Sequence, residues 1–102
     1  MPSDRSPLSL ETVVCAGANQ VSSRVGDELV VLDLDSSRYY SLDPVGARIF
    51  ELLERPTRLD AVLEAIVAEF EVDAPTARTD VLDLVGTLIA EKLVETRASG
   101  AE

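Results

Sequence analysis

Apolar positions follow two different periods along this chain, and the change falls at Asp43-Pro44. Before it, short aliphatic and β-branched runs show the twofold alternation of strands. After it, apolar residues recur every three to four positions, as on helices. Residues 21–25 and 28–34 flank Gly26-Asp27, a break that permits the positive φ of a tight hairpin turn. Asp35-Ser36-Ser37 makes a second break before the strip Arg38, Tyr39, Tyr40, Ser41 and Leu42. These runs predict a three-stranded antiparallel meander whose last strand keeps one backbone edge free. A free edge beside an apolar helix is a place where an extended peptide can bind as an added strand. In the middle strand Val30, Leu32 and Leu34 fall on one face, and Leu29, Val31 and Asp33 on the other. The first, wholly apolar face is expected to carry the core. Upstream, residues 10–16 contain Thr12-Val13-Val14-Cys15, a strand or an extended arm before the turn at Gly17-Ala18-Asn19.

Three helices follow. Asp43 supplies a capping oxygen and Pro44 a first-turn proline, so the first helix is expected over residues 44–54, with Val45, Ile49, Leu52 and Leu53 at helical spacing. Arg55-Pro56 stops it, and Thr57 with Asp60 three residues on resembles a capping box for a second helix over residues 58–70. A third helix is expected over residues 76–93. There Val81, Leu82, Leu84, Val85, Leu88 and Ile89 cover an arc of roughly 180°, wider than the ~100° stripe that packing on one core requires. Either this helix is inserted deeply between the other two, or one flank, near Leu84 and Val81 or near Leu82 and Ile89, is left for a ligand. Val94 and Glu95 close the domain with a short extended segment. The resulting class is α+β, three antiparallel strands followed by three helices in one domain over residues 10–96, with disordered tails at 1–9 and 97–102.

Composition narrows the chemistry. Nine basic residues against 19 acidic ones give a net charge of −10, which opposes nucleic-acid binding and favours basic partners. The third helix carries only Arg78 and Lys92 as cations, too few for a DNA-reading helix of a winged-helix regulator. Cys15 stands alone and the chain has no histidine, so no intramolecular disulfide is possible and the commonest zinc, haem and general-base side chain is missing. Neither a metal nor another cofactor is expected. No apolar run approaches the ~20 residues that span a bilayer, and a cytoplasmic protein is expected.

The order of elements, with YYSLDPVGARIFELL (residues 39–53) across the junction and a late LIAEKLVE (residues 88–95), resembles the PqqD-like family of peptide-recognition elements in ribosomal-peptide biosynthesis. The likeness extends over about residues 21–95, and Tyr39-Tyr40 is closest to the freestanding lasso-peptide branch. Asp43 stands where that family often has Asn, and residues 54–57 lack its usual Asp-Gly break. The resemblance implies a winged-helix-like fold. It also implies a non-catalytic adaptor that binds the leader of a precursor peptide as an added strand and presents it to a leader peptidase and a macrolactam cyclase. The alternative within the family is a chaperone for a radical SAM peptide-modifying enzyme. The implied leader groove lies between the third strand and the third helix. It maps onto Arg38, Tyr39, Tyr40 and Ser41 with Val31 on the neighbouring strand, and onto Val81, Leu84, Val85 and Leu88 as apolar anchors. Asp33, Asp35, Asp80 and Asp83 flank it as partners for basic leader residues, and one of Tyr39 and Tyr40 faces the peptide while the other faces away.

Overall fold

The computed structural model describes residues 8–97; the tails expected at either end lie largely outside that range. The elements run β1 (Val13–Ala16), β2 (Gln20–Val25), β3 (Glu28–Asp33), β4 (Arg38–Leu42), α1 (Pro44–Leu52), β5 (Thr57–Arg58), α2 (Leu59–Phe70), α3 (Ala74–Ala90) and β6 (Val94–Arg97). They form an α+β domain of winged-helix-like form with two antiparallel sheets, in the orders β2-β3-β4 and β5-β1-β6.

The meander appears as the sequence predicts. Gly26 turns the first hairpin with φ 64°, and Ser37 closes the second connection with φ 62°. Asp33 organises that connection, since its carboxylate accepts from the backbone N–H of Asp35 and from the hydroxyl of Ser36. The core-facing side of β3 is the reverse of the expectation. Leu29 and Val31 are buried, whereas Leu34 is exposed and Val30 and Leu32 are half-buried. Alternation assigns residues to two faces but does not say where the helices pack. Here α1 lies under Leu29 and Val31, and Arg24, paired with Leu29 across the hairpin, reaches Glu51 of that helix.

The second sheet decides one open alternative and explains one further departure. β1 is a strand and not a loose arm, pairing with β6 from Val13↔Arg97 to Ala16↔Val94, and with β5 at Val13↔Arg58 and Val14↔Thr57. Because Thr57 is held in β5, it does not cap α2. Its hydroxyl donates instead to the carbonyls of Leu52 and Arg55, and Asp60 pairs with Arg58. The first amides of α2, at Leu59 and Asp60, donate to the carbonyls of Thr12 and Leu10, so the N-terminal segment satisfies groups that a capping side chain would otherwise serve. α3 starts two residues before expectation because Asp73 caps it, accepting from the Thr76 N–H at 3.2 Å. It ends near Ala90 because Lys92 adopts φ 65°, which lets the Leu93 N–H turn back to the Leu88 carbonyl.

One aliphatic core joins the layers: Val14 of β1, Val31 of β3, Ile49, Phe50 and Leu53 around α1, Leu59, Val62 and Ile66 of α2, and Val81, Val85 and Leu88 of α3.

Candidate functional site

β4 is an edge strand. It pairs with β3 from Leu29↔Leu42 to Asp33↔Arg38 and has no neighbour on its other side among the described residues. Asp43 then caps α1 by accepting from the Gly46 N–H at 2.8 Å, with Pro44 in the first turn. Strand and helix therefore meet with no loop between them, which sets Leu42 against Gly46. A cavity of about 510 Å³ opens along this junction. Ser41, Leu42 and Asp43 form one wall, Ala77, Asp80 and Leu84 of α3 the other, and Val45, Gly46, Ile49, Ile66 and Val72 the floor.

The residues expected from the sequence divide between this groove, its surroundings and the core. Ser41, Asp80 and Leu84 line it. Val81, Val85 and Leu88, expected as peptide anchors, are buried at 2 % exposure or less, and Val31 is fully buried. They support the groove from beneath and present no surface to a ligand, because the 100° step per residue turns them onto α1 and α2 while Leu84 remains on the rim. The flank of α3 that meets β4 is the Leu84 flank; Ile89 on the opposite side lines a separate depression with Gly17 and Val94. Asp83 is exposed beyond the groove, and Asp33 is engaged in its own turn.

The two tyrosines take opposite faces. Tyr39 pairs with Leu32 on the outer face and is 73 % exposed. Tyr40 pairs with Val31 on the inner face, and its hydroxyl donates to Glu91 Oε1 at the end of α3, at 2.7 Å. That bond, then partial burial and the negative charge of Glu91, raise the Tyr40 pKa above its usual value. Arg38, two residues back on the same face, lies 3.8 Å from the same carboxylate, while Asp35 accepts from Asn19.

Gly46, Ala77 and Glu91 were not among the residues expected. Gly46 carried a signal, since glycine inside a helix is unfavourable by roughly 0.5–1 kcal/mol relative to alanine and calls for a reason of space. Glu91 carried a weaker one, a carboxylate where a helix end disfavours negative charge. Outside the groove, Val21, Leu32 and Tyr39 form a cross-strand row on the outer face, flanked by exposed Val25 and Leu34. Among the described residues no cluster of three or more His, Cys, Asp or Glu is placed to hold a metal ion, and no helix is long and apolar enough to cross a membrane.

Fold and groove together define a small α+β domain whose bare edge strand ends, at Ser41 and Leu42, on a largely apolar cleft. Residues 28–94 match the family described as coenzyme PQQ synthesis protein D (PqqD), and the chain belongs to that family. Two solved structures are similar. One, described as TbiB1 in complex with the TbiA(beta) leader peptide, is 38% identical with a TM-score of 0.75, over 83% of this chain and 99% of that one. The other, a lasso peptide synthetase B1 complexed with the leader peptide, is 23% identical with a TM-score of 0.65, over 80% of this chain and 96% of that one, and bears on the fold alone. No curated protein matches.

Proposed function

We infer that this protein is a leader-peptide-binding adaptor of lasso-peptide biosynthesis, taking the leader of a precursor as a strand added to β4. The observation that carries this reading is the free β4 edge, whose end at Ser41 and Leu42 lines the groove that Leu84 closes from the other side. β2 is also an edge strand, but the cavity beside Leu42 and Leu84 does not reach it. Backbone pairing along Arg38–Leu42 gives register whatever the leader's side chains, and alternate side chains of the added strand then point down into the groove. Each apolar side chain buried there contributes about 1.5–3 kcal/mol before ordering costs, so two or three reach useful affinity. The resemblance to the TbiB1 complex supports the same reading, since that protein is described with a leader peptide bound.

The adaptor is non-catalytic and cytoplasmic, and it presents the bound precursor to a leader peptidase and a macrolactam cyclase. The row Val21, Leu32 and Tyr39 on the outer face, next to the same edge, is where such an enzyme would meet adaptor and leader together. The test is a titration of the purified protein with a fluorescent synthetic leader from a precursor encoded beside it. Saturable one-to-one binding that Leu84→Asp weakens supports the reading; absence of binding to every neighbouring leader overturns it.

A further inference from the structure

Gly46 lies on the floor of the groove, between its two walls. A Cβ built there would lie 3.2 Å from Asp43 Oδ1, 3.4 Å from Leu42 Cβ and 3.4 Å from Leu84 Cδ2. Nothing in its backbone demands glycine, because its φ is not in the left-handed region and it lies in the first turn of an ordinary helix. On helix propensity alone alanine would be the better residue. What glycine provides is room. The tightest of these contacts is with the capping carboxylate, and the strand and helix walls stand at van der Waals distance, so a methyl group would take up the room left between them at the floor of the cavity.

We propose that Gly46 is the residue that sets the depth of the groove, and with it the size of the apolar leader side chain that the groove accepts. The proposal rests on the leader-binding reading above. Around Gly46 the lining is aliphatic, formed by Val45, Ile49, Ile66 and Val72, apart from the capping carboxylate of Asp43 and Asp80 on the helix wall. Asp43 is held there by its cap, and Asp80 is exposed. Such a site selects by shape and apolar area. One large aliphatic or aromatic side chain, from a position of the added strand facing inward beside Leu42, fills it. Each methylene that no longer fits loses contacts and leaves space too small for water.

The experiment pairs variants of the protein with variants of the peptide. An alanine scan of the fluorescent leader finds the apolar position whose truncation weakens binding most, and that position is then made Ala, Val, Leu and Phe in turn. For the unaltered protein the Leu or Phe peptide is expected to bind at least about tenfold tighter than the Ala peptide. In Gly46→Ala that preference shrinks to a few-fold or less while the Ala peptide binds as before. A second variant, Leu84→Ala, deepens the site from the other wall and moves the optimum toward Phe. An equal loss for all four peptides in Gly46→Ala, or an unchanged order of preference in both variants, overturns the depth-setting role. Failure of the unaltered protein to bind any leader overturns the leader-binding reading itself, and this inference with it.

Discussion

Tyr40 of β4 and Glu91 at the end of α3 are joined by a hydrogen bond of 2.7 Å that ties the strand wall of the groove to the helix wall. Tyr40 reaches across because strand alternation turns it inward, opposite Val31. Glu91 is within reach because α3 stops there, its carboxylate compensated at an otherwise unfavourable helix end by the Tyr40 hydroxyl and by Arg38. The bond favours protonated Tyr40, whose pKa is raised in the folded protein. Its contribution to stability is therefore complete below the ordinary tyrosine range near ~10 and lost as pH rises through the higher folded value. In a Tyr39→Phe background, ultraviolet titration should show Tyr40 ionising above the usual range. Glu91→Ala should bring it back down. A titration unchanged by Glu91→Ala would mean that the bond does not form in solution.

The difference between lining the groove and supporting it separates Leu84 from Leu88. Leu84→Asp places a charge on the apolar wall and should weaken leader binding at least about tenfold with little change in folding. Leu88→Ala should lower unfolding free energy by about 2–5 kcal/mol in urea, as expected for a buried leucine, while the folded protein binds leader nearly as before. Tyr40→Ala should weaken binding more than Tyr39→Ala, because Tyr39 lies on the outer face.

Asp73 sets the start of α3 and thus the height of the helix wall. Its carboxyl is held below the usual aspartate range by bonds from the Thr76 N–H and hydroxyl. The stabilisation is present above the ordinary aspartate value near ~4 and lost as pH falls through the lower folded value. Asp73→Ala should lower the thermal midpoint at pH 7 by a few degrees, and Asp73→Asn should restore part of it. The gap between the unaltered protein and the alanine variant should close in acid.

Much of this architecture is legible in the sequence because it is encoded locally. Gly26 specifies the hairpin, Asp43-Pro44 the start of α1, and the apolar spacing along residues 81–89 the helical character of α3, though not that Val81, Val85 and Leu88 are buried. What escapes local reading depends on long-range partners. Thr57 and Asp60 have the spacing of a capping box, yet β1 claims Thr57 for a strand, a pairing that spans more than forty residues. The inner face of β3 cannot be told from its alternation, since both faces offer aliphatic residues and only the position of α1 decides between them. The site follows the same rule. The β4 edge and the surplus apolar arc of α3 are readable, whereas the choice of the Leu84 flank, the floor at Gly46 and the tie to Glu91 exist only once strand and helix are brought together.

Strand addition at β4 is the central claim, and amide hydrogen exchange with and without the neighbouring leader tests it most directly. Among the described residues the sheet has two bare edges, β2 and β4, so the location of any new protection is informative. The account predicts slower exchange within Arg38–Leu42 on adding leader, with β2 (Gln20–Val25) unchanged. Protection on β2 instead, or binding with no change along β4, would contradict it.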